Sequence, residues 1–363
     1  MLDSKKPYND LPDLPPLADF DDVELLKLVN KANNSLFELK GAAHILPNRL
    51  ILVSPLSIRE AVASSGIENI NTTVAEALRA DVVYEKSELA GADKEILKYR
   101  DALMHGFHLL GKQEFLNSNS FIDIQAILEP SKQGIRAIPG VAIRSSKTNE
   151  AIYTPPEGRE LILSKLKNLE DYFNNKTGFD DLDPLIRMAI MHYQFEAVHP
   201  FLDGNGRTGR ILMVLYLVMV GRLDLPILFL SKYILENRDE YYRLLLDVTQ
   251  NNHWKEWVSY ILKGIEAQAT ETRLKILQIK KLMEEYKEIQ NTKSSNIMTP
   301  QMLDYLFSNP FYTQKKLSEY LGVHRNTASK YFTELESLGL VGKFKYKLEN
   351  IYYNEKLLDL LSY

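Results

Sequence analysis

The sequence predicts a mainly α-helical protein, interrupted once by a β-hairpin and closed by a small helix-turn-helix unit with a strand wing. Three observations carry this expectation. Apolar residues recur at helical spacing over most of the chain. Alternation takes over only around residues 134–156. Near the C-terminus two short helical stretches flank Gly322-Val323 and precede strand-like segments.

Pro7, Pro12, Pro15 and Pro16 keep residues 1–20 out of a helix, so this stretch is expected to run extended over the surface. From Asp21 the pattern turns helical with Val23, Leu25, Leu26, Leu28 and Val29, and Leu36, Leu39 and Leu46 are assigned to a further helix. Pro55-Leu56-Ser57-Ile58 opens a helix that carries Ala61 to Ser65 and ends near Glu68. Helices continue through Leu97 to Leu110 and end at Gly111. Gly134-Ile135-Arg136, Val141 to Arg144 and Ala151-Ile152-Tyr153-Thr154 alternate around the polar residues 145–150, which predicts a β-hairpin stopped by Pro155-Pro156. Residues 159–177 and 183–198 are helical, with His192 on an apolar face as a packed core histidine.

The apolar run Ile211 to Val220 reads as a buried helix and stops at Gly221-Arg222, far too soon to span a bilayer. After 226 come Tyr233, Tyr241, Tyr242 and the helix of Leu244 to Leu246. Trp254 and Trp257 begin a helix with a charged outer face that reaches about Gln290, followed by a polar linker at 291–296. Thr313 to Leu321 and Asn326 to Leu338 form the last helix pair, closed by Gly339, with 340–346 and 351–353 as the wing. The domains expected are an N-terminal helical region (1–95), a core domain (96–265), a connector helix and linker (266–299) and a small C-terminal domain (300–363).

A chain of 363 residues has room for two or three cores, and 45% hydrophobic with 25% charged residues is a soluble globular composition. The absence of cysteine excludes disulfides and thiolate metal sites. No apolar signal region follows Met1 to Pro7, and a net charge of −4 gives no general attraction to nucleic acid or anionic lipid. A cytoplasmic protein without a membrane partner is expected.

Residues His199 to Arg210, His-Pro-Phe-Leu-Asp-Gly-Asn-Gly-Arg-Thr-Gly-Arg, carry the chemistry. The run sits on a loop and the first turn of the apolar helix, where unpaired N–H groups and the helix dipole favour a phosphate. In this Gly-rich run (Gly204, Gly206, Gly209), Gly204 and Gly206 let the backbone approach an anion closely, and Asn205 adds an amide donor. Asp203 suits Mg²⁺ held mainly by phosphates and water. Arg207 and Arg210, three apart beside Thr208, can clamp phosphate oxygens. His199 can take a proton from an attacking hydroxyl. Phe201 anchors the loop. Together these groups suit phosphoryl or nucleotidyl transfer.

This segment resembles the signature of the Fic family, with every specified position filled. The resemblance implies a Fic helical core with a β-hairpin flap, an N-terminal helical region and a C-terminal winged helix-turn-helix domain, and the Leu11-Pro12-x-Leu14-Pro15 start agrees. It also implies a protein adenylyltransferase that moves AMP from ATP to a Tyr, Thr or Ser hydroxyl of a protein. His199 would be the base, Asp203 the ligand of Mg²⁺ or Mn²⁺, Gly204 to Gly206 the anion hole, and Thr208 and Gly209 part of the nucleotide site with Arg207 and Arg210. Asp203 favours adenylylation, since Doc-type relatives that donate phosphate carry Lys at this place. Ala151, Ile152, Tyr153 and Thr154 would be the flap that holds a target segment by strand addition. Tyr241 and Tyr242 would lie beside the adenine.

Ser64-Ser65-Gly66-Ile67-Glu68-Asn69 is similar to the family's inhibitory helix, so Ser64, Glu68 and Asn69 become inhibitory residues, with Glu68 competing with phosphate for Arg210. The whole chain thus resembles a class II Fic protein. Three questions stay open at this level: AMP removal at the same site, a nucleotide-sensing DNA-binding regulator, and self-AMPylation or a homodimer as partners. For DNA, residues 300–363 hold eight basic and seven acidic groups, little for a phosphate backbone, although Arg325, Asn326, Thr327, Ser329 and Lys330 would face the major groove.

Overall fold

The structure is a computed structural model and describes residues 3–85, 87–144, 150–175, 181–292 and 297–362. In chain order its elements are α1 (Val23–Ala43), α2 (Val53–Ile67), α3 (Val74–Val83), α4 (Gly91–Gln113), α5 (Ser118–Leu128), β1 (Ile143–Arg144) and β2 (Ala151–Tyr153). There follow α6 (Arg159–Phe173), α7 (Pro184–Val198), α8 (Asn205–Met219), α9 (Leu230–Glu236), α10 (Arg238–Asn251) and α11 (Trp254–Thr292). The chain closes with α12 (Pro300–Ser308), β3 (Phe311–Tyr312), α13 (Gln314–Leu321), α14 (Arg325–Ser337), β4 (Gly342–Tyr346), β5 (Glu349–Tyr353) and α15 (Glu355–Ser362). The fold is mainly α, as the periodicity predicts. Leu36 and Leu39 extend α1 instead of starting a new helix, and Gly111 lies inside α4. The polar stretch 291–296 falls mostly outside the described residues.

Compactness divides the chain into two units that do not follow its order. One comprises Met1–Phe37 with Asp101–Ala269, the other Glu38–Arg100 with Thr270–Tyr363. In the first unit α7 packs between α6 and α8, and α5 also packs on α8. Asp183 caps α7 through Leu185 N, and Pro184 occupies the first turn, where a missing N–H costs nothing. Every α7 side chain from Leu185 to Phe195 is buried, so this helix forms the centre of the core. Gly209 permits the close approach of α8: an added Cβ would lie 2.5 Å from Glu196 Oε1 and 3.1 Å from Phe195 Cδ1.

The proline-rich start is more than a surface strand. Leu11 and Leu14 are buried, Asn168 bonds both backbone groups of Leu14, and Gln194 donates to Pro12 O at 2.8 Å. Prolines remove donors, and apolar side chains between them still seek burial, so this segment becomes a strap anchored by two plugs.

In the second unit, a short 3-10 helix (Arg49–Leu52) leads into α2, which buries most of its side chains. The stretch Arg49–Ile67 is long and apolar enough to cross a membrane, yet it is 78% buried within the protein, as a core helix would be. Buried Glu60 there accepts from Tyr99 Oη, and buried Arg59 reaches Glu271 at 3.3 Å. Residues 300–362 run helix, strand, helix, helix, hairpin, helix, with β5 central in the sheet order β3-β5-β4. Gly322, at φ 65°, makes the turn between α13 and α14. Phe332 of α14 stacks on Tyr352 of β5, 3.9 Å between ring centres.

Candidate active site

All the groups from His199 to Arg210 lie in the first unit, on the loop between α7 and α8 and on the first turns of α8. His199 ends α7 in the left-handed region (φ 47°), with its N–H on Phe195 O at 3.0 Å. A residue with a Cβ holds that conformation only where its surroundings insist. Here they do. The last carbonyls of α7, which have no partner within the helix, are taken by Tyr153 Oη (to Ala197 O, 2.8 Å) and by Arg136 (to Val198 O, 3.3 Å, and His199 O, 2.7 Å). The same buried guanidinium also donates to Pro156 O, and Arg136 N donates to Pro200 O. Burial lowers the Arg136 pKa from its ordinary value. Residues 134–136 therefore do not join the hairpin: Ile135 bridges to Phe201, and the segment braces the histidine loop.

Gly204 opens α8 at φ 80°, and a Cβ there would press on Glu129 Cγ at 3.3 Å. Asn205 differs from its expected part as an anion donor. Its Oδ1 accepts from Phe201 N and its Nδ2 donates to Phe201 O, both at 2.9 Å, so the amide is turned into the loop as a latch. Gly209 likewise serves helix packing, and Thr208 is fully buried. Gly206 stands on the first turn of α8.

Asp203 accepts from Gly204 N at 2.8 Å and from Lys132 Nζ at 2.5 Å. Burial pushes its carboxyl pKa up, but Lys132, the Gly204 N–H and Arg207 together outweigh this and hold it below the usual aspartate value. Arg207 is buried and lies 2.5 Å from Glu129 Oε1 and 3.9 Å from Asp203 Oδ1. Arg210 is 1% exposed. Two buried arginines and an ionised aspartate thus flank a helix N-terminus, an arrangement that attracts phosphate and a cation. Among the described residues no three His, Cys, Asp or Glu side chains group to hold a metal ion, so any metal here would draw most of its ligands from elsewhere.

The two tyrosines separate. Tyr241 is buried, its Oη 2.8 Å from His192 Nε2, within rings that include Trp257 and Tyr260. It is a core residue, and the fully buried His192 beside it has its pKa pushed down to about 3 by burial and by Arg210. Tyr242 instead lines a cleft of about 470 Å³, open mouth included, with Ile143, Ile152, Tyr153, Glu196 and Leu245. The hairpin pairs Ile143 with Tyr153 and Arg144 with Ala151, and residues 145–149, expected from the sequence to join the strands, lie outside the described residues. Thr154 is spent on the strap: its hydroxyl donates to Ser4 O and its carbonyl accepts from Tyr8 N. Ser64, Glu68 and Asn69 belong to the second unit, where Ser64 is buried in α2 while Glu68 and Asn69 are exposed at its end.

Arg136, Glu129, Lys132 and Gln125 escaped the sequence reading. Their one local signal is charge or amide close to Gly134, and only the fold brings them to a motif some 70 residues away.

The end of α7 and the start of α8 thus bring together a histidine, an ionised aspartate and two buried arginines. Three family profiles match it: "Fic/DOC family N-terminal" at residues 26–108, "Fic/DOC family" at 115–217, and "Protein adenylyltransferase SoFic-like, C-terminal domain" at 282–357. The chain belongs to the Fic family. It is 35% identical over 127 residues to "Protein adenylyltransferase fic-1" of Caenorhabditis elegans, covering 34% of this chain and 23% of that protein. To "Protein adenylyltransferase Fic" of Aedes aegypti it is 30% identical, over 44% of this chain and 29% of that one. For the protein of the same name from Nematostella vectensis the figures are 27%, 69% and 56%. The chain thus spans less than two thirds of these relatives' lengths. Among solved structures, a Fic family protein from Desulfovibrio desulfuricans superposes with a TM-score of 0.57 at 18% identity, over 94% of this chain and 98% of that one. Fic-1 from Caenorhabditis elegans gives 0.52 at 22%, over 70% and 78%. These likenesses show the fold.

Proposed function

We propose that this chain is a protein adenylyltransferase that uses ATP with Mg²⁺ or Mn²⁺ to label a hydroxyl side chain of a protein. The observation that carries the proposal is the braced histidine, held by Arg136 and Tyr153 at the end of α7, next to a glycine-opened helix start with an ionised carboxylate and two buried arginines. His199 takes the proton of the attacking hydroxyl as its oxygen bonds to the α-phosphorus and the bond to the β-phosphate oxygen breaks, releasing pyrophosphate. Arg207 and Arg210 hold the outer phosphates, and the first-turn N–H groups of α8 accept the charge that develops.

Asp203 fits a divalent cation, because it is ionised, partly exposed and already draws the Lys132 ammonium. A metal bound there would neutralise phosphate charge. One carboxylate completed by phosphates and water is the usual Mg²⁺ arrangement. The cleft lined by Tyr242 and Ile152 is read as the place of the base, with Ala151 and Ile152 on the flap that aligns the target. Glu68 is read as an autoinhibitory carboxylate that competes with phosphate for Arg210, supported by its motif spacing and its exposed position at the end of α2.

We read residues 300–362 as a winged helix serving protein contact and not DNA. Within its own unit Lys315 pairs with Glu85, Lys316 donates to Asp81 O, Arg325 faces Glu349, and Lys347 lies over the rings of Tyr84 and Tyr346. The Tyr346 hydroxyl at the wing bonds that of Tyr84. Cations and a wing so occupied contribute little to a phosphate backbone.

The test is incubation of the purified chain with α-labelled ATP and Mg²⁺, alone and with lysate. Label should enter protein, whether this chain or another, and His199→Ala should lower the rate by roughly 10²–10⁴-fold with nucleotide binding retained. Label arriving from γ-labelled ATP and not from the α position would make the reaction a phosphorylation and overturn the proposal.

A further inference from the structure

Gln125 of α5 is fully buried and joins two loops through one amide. Its Nε2 donates to Lys132 O at 3.1 Å and to Asp203 O at 3.0 Å, while its Oε1 accepts from Gly134 N at 3.2 Å. The 130–134 turn and the histidine loop are thereby held at a set spacing, and Lys132 Nζ lies 2.5 Å from Asp203 Oδ2. The other carboxylate oxygen takes the Gly204 N–H, with Arg207 at 3.9 Å. Lys132 and Asp203 are 50% and 40% exposed, so their pair is screened and exchangeable, unlike the enclosed Arg207.

We propose that Lys132 is a tethered counter-cation that competes with the divalent metal for Oδ2 of Asp203 and so sets the metal affinity of the site. An ammonium and a divalent cation cannot share one carboxylate oxygen at contact distance without strong repulsion. Metal entry therefore requires the Lys132 side chain to leave Oδ2. Its backbone stays clamped by Gln125, so the displaced ammonium remains beside the phosphates that arrive with the metal. The inference rests on the reading that Asp203 ligates the metal.

Direct metal binding tests it apart from turnover. Mn²⁺ binding to the full chain with a non-hydrolysable ATP analogue is followed by electron paramagnetic resonance. Lys132→Met, which keeps the stem and removes the charge, should tighten Mn²⁺ binding about threefold to tenfold, and Lys132→Arg should stay close to wild type. Added salt should shrink the difference, because an exposed ion pair is screened. Asp203→Asn should weaken this binding about tenfold or more, and in the Asp203→Asn background Lys132→Met should no longer tighten it. Unchanged or weaker Mn²⁺ binding in Lys132→Met, with Asp203→Asn still weakening it, overturns the competitor role alone. Wild-type binding in Asp203→Asn overturns the metal-ligand reading beneath it.

Discussion

Replacing Asn205 by Ala would strip two buried backbone groups of their partners at once. Its amide bonds Phe201 N–H and C=O at 2.9 Å each, and both residues are enclosed, Asn205 at 3% and Phe201 at 0% exposure. A buried group left without a partner costs about 1–3 kcal/mol, so the pair sets a loss of roughly 2–6 kcal/mol before relaxation. Ala is a better helix former than Asn by about 0.6 kcal/mol at the start of α8, and some water can enter the opened loop. The expected net loss is about 2–4 kcal/mol. Urea unfolding followed by tryptophan fluorescence suits the measurement, because the chain's two tryptophans, Trp254 and Trp257, both lie in the unit that holds the loop. With a urea slope of about 2–3 kcal/mol per molar, the midpoint should fall by roughly 1 M. Asn205→Asp, which keeps an acceptor for Phe201 N but no donor for its carbonyl, should lose about half as much. An unfolding free energy for Asn205→Ala within about 0.5 kcal/mol of wild type, together with weakened ATP binding, would refute the latch and return the amide to the anion.

Two further outcomes follow. His192 is neutral in the fold, whereas the unfolded chain protonates it below about pH 6.5; folding therefore loses stability as pH falls from 6.5 until about 3, where the folded histidine also protonates. At pH 5 the loss is about 2 kcal/mol, one and a half units at 1.36 kcal/mol each, and His192→Gln should remove that part of the difference between urea midpoints at pH 7.5 and 5; an identical acid response in the variant would count against it. Glu68→Gly should raise AMP incorporation roughly tenfold or more if its carboxylate restrains Arg210, and the double variant with His199→Ala should be silent; an unchanged rate with intact folding removes the inhibitory reading.

The sequence was most legible where chemistry and local periodicity coincide. The run His199 to Arg210 announces its loop and helix start because each residue's role depends on near neighbours, and the stretches that became α2, α7, α8, α13 and α14 show their apolar faces directly. What it hid depends on distant partners. Arg136 was one alternating residue in an expected strand, and only the fold shows it closing α7. Tyr241 and Tyr242 are indistinguishable in sequence, yet the helical turn between them sends one to the core and the other to the cleft. Leu11 and Leu14 were masked by their prolines.

The division of the chain at Phe37/Glu38, Arg100/Asp101 and Ala269/Thr270 falls inside α1, α4 and α11. No single cut can therefore release either half intact. A stop placed in the polar stretch before Pro300 would delete Asp304, Asn309 and Lys316, which bond Asn48, Leu78 and Asp81 in the same unit, and would leave α2 and α3 with apolar faces uncovered. Such a truncation should yield insoluble or protease-sensitive protein, although it spares every motif residue. The same interleaving bears on chimaeras: a C-terminal segment grafted from another protein would have to meet residues 38–100, with which residues 270–363 form one compact unit.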